Sequence, residues 1–71
     1  MPRYEVIPRT PHLGGVKAGK RRTVEACDAK QAAEKILGKP LVTEGALMEL
    51  RAVVTWQEAG RSTYAEFYAV S

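Results

Sequence analysis

One stretch of the chain, DAKQAAEKILG at residues 28–38, carries signals for both the start and the end of a single helix. Asp28 is a favourable N-cap residue, and Gln31 three positions later completes a capping-box pattern. Gly38 and Pro40 end the helix, because glycine suits the left-handed C-cap and proline cannot continue a helix. A helix this short is marginal alone, so it must pack on another layer.

The apolar side chains of this stretch recur at the spacing of one helical face. They are Ala29, Ala32, Ala33, Ile36 and Leu37. Because most of them are alanines, the helix can approach the layer beneath it closely. The rest of the chain indicates that this layer is a sheet.

Four other stretches alternate apolar and polar residues with the period of a β-strand. They span residues 3–8, 21–27, 47–57 and 62–70, and residues 41–45 are predicted to be a connector. Residues 58–61, EAGR, predict a hairpin turn with Gly60 at a positive-φ position. The predicted fold class is α+β, in the order β-β-α-β-β: a mostly antiparallel sheet with one helix packed on one face.

Prolines and glycines interrupt the pattern between the first two predicted strands. Pro11, Gly14, Gly15 and Gly19 leave no periodicity, so residues 9–20 are predicted to form a flexible basic loop. Loops longer than the usual connection are often functional. At 71 residues the chain is expected to form one small globular domain that includes this loop.

Positive charge is concentrated at the start of the chain. Residues 1–24 hold six Lys and Arg and one acidic side chain, a net charge of +5. Residues 25–71 hold five Lys and Arg and seven acidic side chains, a net charge of −2. The first segment, rather than the whole molecule, is therefore suited to an acidic or phosphate-bearing partner.

The stretch GGVKAGKR at residues 14–21 is one residue short of the phosphate-loop pattern G-x-x-x-x-G-K-[ST]. Arg21 stands where the pattern needs a hydroxyl for Mg²⁺. The motif also needs a helix that opens at the Gly-Lys pair, whereas a strand is predicted there. These features favour a flexible basic loop over a nucleotide site, and no cofactor is expected.

The residue types that carry catalysis are sparse. His12 is the only histidine and Cys27 the only cysteine, and neither has partners at metal-ligand spacing. His12 is predicted to be an exposed loop residue, and Cys27 a small, partly buried structural residue. The carboxylates are dispersed along the chain, so the protein is predicted not to be an enzyme and not to bind a metal.

The leading hypothesis is a small non-enzymatic binding protein whose basic loop contacts nucleic-acid phosphates without reading sequence. The predicted contact residues are Arg9, Lys17, Lys20, Arg21 and Arg22. The alternative is a protein-interaction or self-associating module, such as a homodimer, that pairs through a sheet edge and has no nucleic-acid role.

Aromatic residues mark the two faces of the predicted sheet. Trp56 is expected on the helix side. If Phe67 faces the helix, Tyr64 and Tyr68 point to the open face, where they are candidate contacts for bases or for a protein. The same face is expected to collect several carboxylates, which favours ion pairs or a protein partner over nucleic acid.

No apolar run predicts a signal peptide or a membrane span, and no membrane partner is expected. A single cysteine excludes an internal disulfide. The expected compartment is therefore a reducing one, most simply the cytoplasm.

Overall fold

The computed structural model describes residues 2–12 and 15–70. Within these residues the elements are β1 (Arg3–His12), β2 (Gly15–Ala18), β3 (Arg22–Glu25), α1 (Ala29–Leu37), β4 (Leu41–Val42), β5 (Leu50–Glu58) and β6 (Arg61–Ala69), with a 3₁₀ turn at Leu47–Glu49. The strands form one antiparallel sheet in the order β2-β1-β5-β6-β4, and β3 also pairs with β1. The predicted α+β class is confirmed.

The helix begins and ends where its sequence signals lie. The Asp28 carboxylate accepts a hydrogen bond from the Gln31 backbone N–H at 2.7 Å, and the Gln31 side-chain oxygen accepts one from the Cys27 N–H at 2.7 Å. Gly38 adopts φ 70° and donates to the Glu34 carbonyl. Both ends of α1 are therefore capped by local groups.

The core lies between α1 and one face of the sheet. Its buried members are Tyr4, Val6, Ala26, Ala32, Ala33, Leu41, Ala52, Val54 and Phe67. Trp56 packs at the margin of this cluster, with its ring centroid 5.4 Å from that of Tyr4. The expected helix-side position of Trp56 is confirmed, and the opposite face of the sheet carries no helix in the described residues. We call that second surface the open face.

The backbone of residues 9–12 and 15–18 differs from the sequence-based prediction of a loop. That prediction is wrong for residues 9–12 and 15–18, which belong to β1 and β2, with Arg9 opposite Ala18 and His12 opposite Gly15. The prolines fit because of strand alternation. The Pro8 carbonyl accepts a hydrogen bond from the Gly19 N–H at 2.7 Å. Because the nitrogen and carbonyl of one strand residue point to the same side, the Pro8 nitrogen, which has no hydrogen to donate, faces the break between β2 and β3.

Three further predictions need correction. Residues 41–45 are not a connector throughout, because Leu41 and Val42 form β4, which pairs with β6 and adds a strand to the predicted order. Cys27 is exposed rather than partly buried, because alternation turns its neighbour Ala26 into the core. The stretch 47–57 is not strand throughout: residues 47–49 form the 3₁₀ turn, and a register shift separates Leu50 from Ala52. Leu50 is 4% exposed but pairs with Tyr68 on the open face and lies outside the core cluster.

No helix in the described part of the chain has the length and apolar character that crossing a membrane requires.

Candidate functional site

The cations predicted as a site lie mostly along one edge of the sheet. Lys17 belongs to β2, Arg22 begins β3, and Lys20 and Arg21 lie between them. All these side chains are exposed. We call this set the basic edge; it occupies the side of β1 opposite β5.

The short strands β2 and β3 both pair with β1, and the segment that joins them has one residue more than the part of β1 that it faces. Val6 pairs with Arg22 and Arg9 with Ala18, so residues 18–22 span the same length as residues 6–9 of β1. An insertion of this kind is a β-bulge, which bends the strand and changes the direction of its side chains. The bulge therefore determines how Lys20 and Arg21 are presented.

The register divides the basic edge between the two faces of the sheet. Arg22 lies opposite Val6, a core residue, and so projects on the helix side. Arg21 instead reaches the Glu5 carboxylate on the open face, at 3.5 Å. The cations thus surround an edge and do not form a flat patch on one face.

The contact between Arg21 and Glu5 leaves both groups accessible. Their side chains are 64% and 46% exposed. Exposed pairs of this kind contribute about 0–1 kcal/mol to stability. A phosphate approaching this edge competes with the carboxylate at little energetic cost.

Arg9 does not join the exposed set. It lies in β1 opposite Ala18 and is half-buried. Its Nε is buried and has no hydrogen-bond partner among the described residues. Of the predicted contact residues, Arg9 is therefore the one held within the sheet.

The two candidate tyrosines lie on the open face, since Phe67 faces the core. Tyr64 is 68% exposed, whereas Tyr68 is half-buried. A Cβ at Gly45 would lie 2.8 Å from the Tyr68 Cβ, so the connector between β4 and β5 crosses directly over this side chain. Two strands separate β6 from β2, which places Tyr64 roughly 14 Å from the basic edge.

The open face also carries a depression of about 660 Å³ that the sequence analysis did not anticipate. Arg3, Glu5, Thr55, Gln57 and Ser62 contribute to its lining. Strand alternation alone places these residues on one face. Their proximity required the pairing of β1 with β5 and of β5 with β6, which alternation does not supply.

The described residues contain neither a cluster of metal-ligand side chains nor the helix of a phosphate loop. No group of three or more His, Cys, Asp or Glu side chains comes together there at a distance suited to a metal ion. Residues 15–18 and 22–25 are strands and the next helix begins at Ala29, so the helix that a phosphate loop needs does not follow Lys20. Gly14 of that pattern and the side chain of His12 lie outside the described residues.

Comparisons with protein-family models, with curated protein sequences and with solved structures each found no match for this chain.

Proposed function

We propose that this chain is a non-enzymatic binding protein that contacts nucleic-acid phosphates through its basic edge. One observation carries the proposal. Four exposed cations fall within six consecutive residues, 17–22, along an edge that the described chain leaves open. Among them only Arg21 lies within ion-pair distance of a carboxylate in the described residues.

The arrangement around an edge suits a phosphate backbone better than a flat protein surface. Phosphates follow a curved path, and two-stranded β-ribbons fit the major groove of a duplex. Lys17 lies opposite Thr10, which strand alternation places on the same face as Val6. Lys17 and Arg22 therefore approach from the helix side and Arg21 from the open face, so they reach phosphates on both sides of such a ribbon. Arg9 supports them from β1. These contacts are electrostatic and carry no base preference.

We also propose that the protein is not an enzyme and that it resides in a reducing compartment. Dispersed carboxylates and a histidine without sequence neighbours of ligand type support the first. Cys27, an exposed free thiol, supports the second, because such thiols persist where disulfides do not form. The cytoplasm is the simplest such compartment.

The test is a salt titration of binding to fluorescent single- and double-stranded DNA and RNA of mixed sequence. We expect affinity to fall steeply with salt. In the double variant Lys20→Ala/Arg22→Ala, the slope of log K against log salt should flatten by about 1.4–1.8, since each lost phosphate contact removes about 0.7–0.9. Fluorescence anisotropy measures both quantities.

The matched control is Lys30→Ala/Lys39→Ala, which removes the same charge from exposed positions on α1 and just beyond it. This control should lower affinity through net charge but keep most of the slope. Equal slopes for the two variants would exclude the basic edge as the contact surface. Absence of binding to every probe at low salt would exclude the proposed function itself.

A further inference from the structure

We propose that β6 pairs antiparallel with β6 of a second copy of this chain, about a two-fold axis that passes between Tyr64 of one copy and Tyr64 of the other. This inference does not rest on nucleic-acid binding. It concerns the outer side of residues 61–67, which we call the β6 edge.

The β6 edge is open over most of its length. β5 covers one side of the strand from Arg61 to Tyr68. On the other side, β4 pairs only with Tyr68 and Ala69. No described strand covers residues 61–67 there.

The hairpin defines which backbone groups of this edge lack partners. Glu58 and Arg61 close a two-residue turn, so the N–H and C=O of Arg61 point toward β5. Alternation then turns the N–H and C=O of Ser62, Tyr64 and Glu66 outward. No described backbone group outside β6 bonds to them.

These outward groups are self-complementary. With the two-fold axis at Tyr64, each Tyr64 exchanges hydrogen bonds with Tyr64 of the second copy, and each Ser62 with Glu66 of the second copy. Every outward donor and acceptor on both edges is then satisfied. The same axis keeps the open faces of the two sheets on one side of the dimer.

The side chains fit the same register. Tyr64, 68% exposed in the monomer, packs against Tyr64 of the second copy. Glu66 lies opposite the Ser62 hydroxyl rather than another charge. No like-charged residues face each other directly, which is the electrostatic condition that an edge-to-edge contact needs.

The basic edge does not offer an equivalent surface. Its bulge interrupts the backbone ladder, and two copies would bring Lys and Arg side chains together. Charges and bulges are the usual means by which a sheet edge avoids pairing. The dimer therefore extends the sheet through β6 and leaves a basic edge at each outer end.

Amide hydrogen exchange on the intact chain provides a residue-level test. The N–H groups of Arg61, Thr63 and Ala65 bond to β5 and should be protected at any concentration. Those of Ser62, Tyr64 and Glu66 should become protected only as protein concentration rises from about 10 µM to about 1 mM, the range in which a weak dimer of about −4 to −7 kcal/mol forms. Unprotected outward amides at the highest concentration would overturn self-pairing and leave an extended peptide of another protein as the occupant of this edge.

Sedimentation equilibrium tests the two-fold register with variants. Tyr64→Lys places like charges at the axis and should raise the dimer dissociation constant at least tenfold. Thr23→Lys adds the same charge at an exposed position of β3, near the opposite edge of the sheet from β6, and should leave that constant within about twofold.

Substitutions at position 62 test the register further. Ser62→Lys should tighten the dimer through Glu66 of the second copy, and Ser62→Glu should weaken it. A molecular mass of 7.8 kDa for the wild-type chain at every concentration, or weakening by Thr23→Lys equal to that by Tyr64→Lys, would overturn the proposal. Circular dichroism of each variant confirms that the monomer remains folded.

Discussion

Gly45 is the residue at which the connector from β4 to β5 touches the sheet. β4 and β5 lie on opposite sides of β6, with Val42 and Leu50 both in register with Tyr68. The connector must therefore cross β6, and it does so over Tyr68 on the open face. A side chain at position 45 would stand between the connector and the strand.

We expect Gly45→Ala to destabilise the protein by about 1–3 kcal/mol, as overpacking does elsewhere. The added Cβ would lie 2.8 Å from the Tyr68 Cβ and 3.0 Å from its Cγ, closer than van der Waals contact allows. Urea denaturation monitored by Trp56 fluorescence measures the loss. The control is Gly19→Ala, whose nearest neighbour, the Pro8 carbonyl oxygen, lies at 3.4 Å. A midpoint for Gly45→Ala no lower than that of the control would show that the connector shifts freely.

At the scale of elements, the β5–β6 hairpin is held by a turn with an unusual residue. Ala59 and Gly60 both have positive φ, 51° and 80°, between the paired residues Glu58 and Arg61. This is the geometry of a type I′ turn, whose twist matches the flanking strands. Glycine adopts it without strain, whereas alanine in the left-handed region costs about 1 kcal/mol.

We therefore expect Ala59→Asn to stabilise the protein by about 0.5–1 kcal/mol, because asparagine tolerates this backbone conformation. Ala59→Val should destabilise it, since a β-branched side chain disfavours positive φ. Thermal unfolding of the three proteins provides the comparison. Ala18→Asn, in the exposed strand β2, should not stabilise; a gain there equal to that at position 59 would rule out the turn as the cause.

For the molecule as a whole, stability depends on one thin core. A chain of 71 residues has a free energy of unfolding of about 4–11 kcal/mol by the usual scale of about 0.05–0.15 kcal/mol per residue. Many of the buried residues that separate α1 from the sheet are alanines. The few large buried side chains consequently carry a large share of the apolar contact.

Phe67 is 3% exposed and is the largest side chain that β6 adds to the core. We expect Phe67→Ala to cost about 3–5 kcal/mol, which is enough to unfold a substantial fraction of the molecules at 37 °C. Tyr64→Ala, on the exposed side of the same strand, should change stability by no more than about 0.5 kcal/mol. Circular dichroism melts at low protein concentration keep self-association out of the comparison. Similar melting temperatures for the two variants would contradict the assignment of the faces of β6.

The elements with short-range signals were predictable. Asp28, Gln31 and Gly38 specify both ends of α1 through groups no more than four residues apart. Likewise, alternation over residues 52–56 and 63–67 separates Val54 and Trp56 from Thr55, and Phe67 from Tyr64; the structure shows that Val54 and Phe67 face the core. The break at Leu50 was not predictable, because a register shift depends on how β5 meets β6 and leaves no local pattern.

The sequence showed where the cations lie along the chain, but not that four of them are exposed along a sheet edge while Arg9 is half-buried in β1. The density of Lys and Arg at residues 17–22 is visible in the chain, but their position on a sheet edge is not. Pro8 and Pro11 indicated a loop because proline removes a backbone donor. In the structure the Pro8 nitrogen faces the break between β2 and β3, where the sheet needs no donor, and only the pairing partners of β1 decide that.

Local physics thus determined, from the sequence by itself, the helix, its caps, most strands, the β5–β6 turn and the charge of the first segment. Tertiary structure decided that residues 9–12 and 15–18 form a paired ribbon, that the connector crosses Tyr68, and which edges of the sheet stay open. Helix caps and tight turns involve neighbours in the chain. Strand pairing joins residues distant in sequence, so its outcome depends on which partners the folded chain brings together.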